Sequence, residues 1–203
     1  MRAAFLFHIV AIAGITNLAV AQSVPQPAAA PAQTASTAPA TQSTSPSPEP
    51  LRHESTSFDL TVHASLAEAE PLFGPEGERA WAGHPWNPKF LYPQPAHDEA
   101  GAVFKIDHGP FSAVWVCSQF DVEGRHFQYV YFMQNLMVAT IDVRFKPIDA
   151  TTTAVNVVYT RTAMSPEGNE HVAAMSHGDR AAGPKWQAAI DKYLASRKSG
   201  GQS

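Results

Sequence analysis

From Lys89 to Ala163, apolar and polar residues alternate in one short segment after another, with brief polar turns between the segments. A period of two sends successive side chains to opposite faces of a strand, so each segment has one face to bury and one to wet. The clearest case sets Met137, Ala139, Ile141, Val143 and Phe145 against Thr140, Asp142, Arg144 and Lys146. Val155, Val157 and Tyr159 against Asn156, Thr160 and Thr162 is nearly as clear. Strands are expected near Lys89–Tyr92, Val103–Asp107, Ser112–Phe120, His126–Gln134, Met137–Lys146 and Thr153–Ala163. Turns such as Asp121-Val122-Glu123-Gly124 and Pro147-Ile148-Asp149-Ala150 favour antiparallel hairpins between them. One face of the resulting sheet is dry and the other is solvated.

A further strand precedes this series, because Phe58, Leu60, Val62 and Ala64 alternate with Ser57, Asp59, Thr61 and His63. Ser65 and Glu68 then form a capping box for a helix that Pro71 must keep short. Gly74-Pro75 is a stop followed by a proline suited to a first helical position, and Glu76–Trp81 fits a second short helix. After the sheet, Val172, Met175, Ala182, Trp186, Ala189, Ile190 and Tyr193 recur at helical spacing, with Asn169 as the expected cap. Gly183-Pro184 lies inside that pattern and should kink or break it. The order of elements makes the fold class α+β.

The N-terminal end carries an address rather than a fold. Arg2, an apolar run from Ala3 to Gly14 and the small residues Ala19-Val20-Ala21 read as a signal peptide spanning residues 1–21. Cleavage before Gln22 would leave an exported protein, periplasmic or secreted. The rival is an uncleaved anchor, since the run approaches the ~20 residues a membrane span needs. Only in that case would the membrane be a partner. No cysteine stands at the end of the apolar run, which excludes a lipid-anchored mature end. Residues 22–52 are dominated by Pro, Ala, Ser, Thr and Gln, which cannot bury enough surface to offset the entropy of ordering them. A disordered linker is expected there, a domain over residues 53–197, and a flexible tail over 198–203.

About 150 residues remain for the domain, enough to bury roughly two thirds of its surface. The net charge of −4 is spread over both signs, with no basic face for nucleic acid. Cys117 is the one cysteine, so the fold must rest on its apolar core without a disulfide.

Particular strings go further. Pro75-Glu76-Gly77-Glu78-Arg79-Ala80-Trp81 with Trp86-Asn87-Pro88, Ala113-Val114-Trp115-Val116, the run Val157–Asn169 and the closing Trp186–Leu194 resemble the SRPBCC superfamily. That superfamily includes START lipid-transfer domains, plant pollen-allergen proteins and polyketide cyclases. The resemblance covers Ser57 to Ala195 and is moderately specific. It implies a helix-grip fold, in which a curved antiparallel sheet of six to seven strands wraps around a long C-terminal helix. It also implies a cavity between sheet and helix for an apolar or amphipathic small molecule. Gly183-Pro184 departs from the uninterrupted helix of that pattern.

Candidate ligand contacts are Trp81, Trp86, Phe104, Trp115, Tyr129, Tyr131, Tyr159, Met175 and Trp186, which bring large surfaces and, for Tyr and Trp, a polar handle. For any one of these aromatics, simple core packing is the plainer explanation. Arg161 shares the parity of Val157 and Tyr159 and should point inward, where its charge needs either an acidic ligand head or an internal carboxylate.

Catalytic signatures are missing: there is no Gly-x-Ser-x-Gly, no phosphate-cradling glycine loop and no His-Glu-x-x-His. Cys117 sits mid-strand like an inert core thiol. Glu170, His171, His177 and Asp179 read as a solvated helix face rather than a metal site, and His84 and His108 have no orienting partner. No catalytic residue, metal or cofactor is therefore assigned. The expected function is binding or carrying of a lipid or other apolar small molecule. The alternatives are a cyclase- or dehydratase-like enzyme using the same cavity, and an interaction module whose core is filled by its own side chains.

Overall fold

The structure, a computed structural model, describes residues 49–200. The signal peptide and nearly all of the expected linker lie outside them. Seven strands form one antiparallel sheet: β1 (His53–Val62), β2 (Lys89–Tyr92), β3 (Val103–His108), β4 (Phe111–Asp121), β5 (His126–Met133), β6 (Met137–Asp149) and β7 (Thr152–Ala163). Their spatial order is β1-β7-β6-β5-β4-β3-β2, so the chain runs as hairpins from β2 to β7 and β1 closes the far edge. Between β1 and β2 come α1 (Leu66–Ala69), a 3-10 turn (Glu70–Phe73) and α2 (Pro75–Glu78). Two helices, α3 (Pro166–Asp179) and α4 (Ala182–Gly200), complete the fold. A curved sheet packed against C-terminal helix is the helix-grip architecture.

Cross-strand register explains how one face becomes the core. Phe90 pairs with Phe104, Phe104 with Trp115, Trp115 with Tyr131, Tyr131 with Ala139, and Ala139 with Arg161, in a row across six strands. The next row joins Cys117, Tyr129, Ile141, Tyr159 and Thr56. Neighbours in such rows lie within contact distance, which makes the row the unit of packing. Trp115 and Tyr131 stack with centroids 4.5 Å apart, and Phe104 and Trp115 at 5.8 Å.

Several boundaries differ from the sequence expectation. Pro71 does not end α1 outright. The chain tightens into a 3-10 turn around it, where the missing amide proton costs little. The cap of α3 is Ser165, whose hydroxyl accepts from the Gly168 amide at 3.0 Å, with Pro166 at the first helical position. Asn169 instead is buried and holds the entering chain: its Oδ1 accepts from the Arg52 amide (2.7 Å) and its Nδ2 donates to the Pro50 carbonyl (3.2 Å). The expected linker, drawn to residue 52, is thus already tied down at Pro50 and Arg52. At the other end α4 runs to Gly200, past the expected boundary at residue 197.

The long C-terminal helix is two helices, broken at Arg180-Ala181 rather than at Gly183-Pro184. Proline has no amide to donate, so it fits the first turn of α4, where amides lack intrahelical partners. Gly183 lets that turn sit on β1: a Cβ there would lie 2.8 Å from the Asp59 carbonyl oxygen and 3.4 Å from the Phe58 ring. Among the described residues no helix is long and apolar enough to cross a membrane.

Candidate functional site

The dry face of the sheet meets α2, the following loop and α4 around a small cavity of about 20 Å³. Phe104 and Trp115 from one row, Tyr129 and Ile141 from the next, and Val143 form its floor. Pro75 and Glu78 of α2, Trp86 of the loop and Trp186 of α4 form its walls. A space this size holds about one water molecule. Five expected ligand contacts, Trp86, Phe104, Trp115, Tyr129 and Trp186, therefore do meet around one void.

The other five do not. Trp81 lies behind the wall, packed on Phe73 and Trp186, with its Nε1 donating to the Leu72 carbonyl at 2.7 Å. Tyr131, Tyr159, Arg161 and Met175 belong to a buried polar cluster at the start of the α3–α4 joint. Both guanidinium arms of Arg161 donate to the Asp179 carboxylate, Nη2 to Oδ1 at 3.1 Å, and its Nε donates to the Tyr131 hydroxyl at 3.0 Å. Thr56 donates to the same carboxylate at 2.7 Å, and the Tyr159 ring lies 4.4 Å from the guanidinium carbon. The small side chain of Ala139, between Tyr131 and Arg161 in the row, is what lets those two meet. Arg161 points inward as its parity requires, but its partner is an internal carboxylate and not an open cavity mouth. Asp179, expected on a solvated helix face, is that partner.

Polar groups at the cavity are few. Tyr129 donates to the Phe73 carbonyl at 2.9 Å and Trp86 Nε1 to the Pro75 carbonyl at 2.9 Å, so both are satisfied. Trp115 Nε1 is buried and has no partner. An unmet buried donor costs about 1–3 kcal/mol, so such groups normally find water or a ligand. Glu78, which the sequence reading passed over, keeps part of its surface accessible, yet its carboxyl is densely surrounded. Burial first, and the Asp98 carboxylate second, push that carboxyl well above the usual range, toward the neutral acid. Asp98 itself is held by the Glu76 and Gly77 amides (2.8 and 3.2 Å), which fixes α2 and with it the direction of Glu78.

None of the other candidates Cys117, His84 and His171 lines this cavity. Cys117 is fully buried, and burial pushes its thiol up to about 12. His171 lies edge-on to Phe111, and His84 is exposed in the loop. Among the described residues no three His, Cys, Asp or Glu side chains cluster as a metal site would require.

No family model matches the chain, and no curated protein is similar to it in sequence. Solved structures are similar in shape. Norcoclaurine synthase from Thalictrum flavum, in complex with dopamine and hydroxybenzaldehyde, superposes with a TM-score of 0.53 at 14% identity, over 72% of this chain and 88% of that one. The di-domain ARO/CYC protein BexL of the BE-7585A biosynthetic pathway gives 0.51 at 12%, over 70% of this chain and 46% of that one. An uncharacterised protein from Rhizobium leguminosarum gives 0.50 at 8%, over 70% and 97%. At such identities the likeness carries the fold alone: this chain has the Bet v1-like helix-grip fold.

Proposed function

We propose that the domain binds an apolar small molecule carrying at least one hydrogen-bond acceptor, without chemical change, in the cavity between the sheet and α4. The observation that supports this most is the buried, partnerless Nε1–H of Trp115, a residue of the cavity floor, in a lining that is apolar apart from Glu78 and Tyr129. An acceptor atom of the ligand would take the place of the one water the cavity can hold. Room for the ligand's apolar body must come from a side chain that can move. Trp86 is that side chain: it is half-buried, lies on a loop and is held by one hydrogen bond. Since residues 1–21 read as an export signal, the molecule would be met outside the cytoplasm. Norcoclaurine synthase and BexL lend the same architecture to small-molecule chemistry, which agrees with a cavity function but does not specify this one.

A second reading has its own support. A volume of about 20 Å³ is what a filled core leaves behind, and a filled core would make the domain an interaction module. A titration separates the two. All four tryptophans lie in or beside the site, so intrinsic fluorescence reports binding directly. Titrating the neutral ketone 2-undecanone should give a saturable change. Trp115→Phe, which keeps the ring stack and loses the donor, should weaken the ketone by roughly 2–10-fold, as one hydrogen bond implies. A flat titration would favour the filled core.

A further inference from the structure

We propose that the cavity, which has no cation in its lining, selects neutral, acceptor-bearing molecules over carboxylates, with Glu78 as a donor beside Trp115, a refinement that rests on the binding reading above.

The walls decide this by what they lack. Phe104 of β3, Trp115 of β4, and Ile141 and Val143 of β6 bring no charge, and α4 brings Trp186. The titratable groups whose charge is felt at Glu78 are Asp98 from the loop after β2, Tyr129 from β5 and Tyr159 from β7, and none of them is a cation. Arg79, next in the chain, is turned to the Glu76 carboxylate, the Asn87 side chain and the Pro88 carbonyl. Arg161, the buried cation that suggested an acidic ligand head, is spent on Asp179.

A carboxylate entering here would be desolvated with no counter-charge, which is costly, and Asp98 would repel it. It could enter only by taking up a proton. At neutral pH that costs about tenfold for each unit between the pH and a carboxyl pKa near 4. A ketone, ether or ester oxygen meets no such cost and can accept from both the indole and the protonated Glu78. The Glu78 donor exists only while that group holds its proton. Its carboxyl is raised, so the donor is present at low pH and is lost as pH rises through the raised value. Ketone binding should therefore weaken with rising pH.

The test compares 2-undecanone with decanoate on the full chain, by tryptophan fluorescence from pH 6 to pH 9. Wild type, Glu78→Gln and Trp115→Phe are measured, with folding checked by circular dichroism. The expected result is a ketone preference of roughly tenfold or more at pH 7, equivalent to ~1.4 kcal/mol. Glu78→Gln keeps a neutral donor, so it should bind ketone with the pH dependence removed. Decanoate binding as tightly as ketone at pH 7 would overturn the selectivity, and an unchanged pH profile in Glu78→Gln would overturn the Glu78 donor, either one leaving the binding reading intact. If neither probe binds wild type, the binding reading falls first and this refinement with it.

Discussion

Replacing Arg161 with Met will lower the stability of the domain by about 3–5 kcal/mol. The size follows from what is left behind. Arg161 is 2% exposed and Asp179 is 9% exposed, and the guanidinium supplies two of the three side-chain donors to that carboxylate. Methionine fills much of the stem's volume but leaves a buried carboxylate with Thr56 alone. The Tyr131 hydroxyl also loses the Nε donor and keeps only its long contact to Met175 Sδ at 4.0 Å. Asp179 is the last residue of α3, so the loss should appear at the joint between the helices. Urea denaturation measures it. Adding Asp179→Leu should recover most of the loss, because removing both partners also removes the uncompensated charge. A loss below ~1 kcal/mol, the range of an exposed pair, would show that the pair is not buried in solution.

Phe73→Ala should cost about 3–5 kcal/mol, the range for deleting a fully buried aromatic ring. Phe73 is 0% exposed and sits where three layers meet. Its ring packs on Trp81 of the loop (6.1 Å), Phe145 of β6 (5.3 Å) and Trp186 of α4 (6.5 Å). No single neighbour can collapse into the hole without leaving another contact. Its carbonyl still accepts from Tyr129 in the variant, so the loss belongs to packing and not to that hydrogen bond. Equilibrium unfolding is again the readout. A loss near the ~0.5 kcal/mol typical of surface substitutions would mean that the 3-10 turn is not seated on the sheet.

These two side chains mark where sequence reading reaches and where it stops. The strands were legible because a period of two is a local signal, repeated in one segment after another. β2 coincides with its expected span, and those ends of β3 to β7 that moved did so by one to three residues. The inward direction of Arg161 was legible from the same parity. Its partner was not, because Asp179 lies on another element 18 residues later, and on a helix face that spacing alone assigned to solvent. Pro184 announced a break, but which turn gave way depends on how closely Gly183 approaches β1.

The cavity residues divide in the same way. Aromatic character picked out Trp86, Phe104, Trp115, Tyr129 and Trp186, yet it picked out Trp81 and Tyr159 by the same rule. Only register and helix placement separate floor from filler. Glu78 escaped notice because α2 is a single turn whose facing is set by Asp98, about twenty residues further on. No periodicity can be read from four residues.

The claim on which the account turns is that Trp115 Nε1 is held ready for a ligand's acceptor. Indole N–H resonances report this directly. In a proton–nitrogen correlation spectrum of the ¹⁵N-labelled chain, the Trp115 signal is assigned by its disappearance in Trp115→Phe. The prediction is that 2-undecanone moves this signal saturably downfield, as a new hydrogen bond requires, while Trp81, already bonded to Leu72, stays in place. If all four indole signals stay unchanged as the ketone is raised to its solubility limit, the cavity is a closed core and the binding account is wrong.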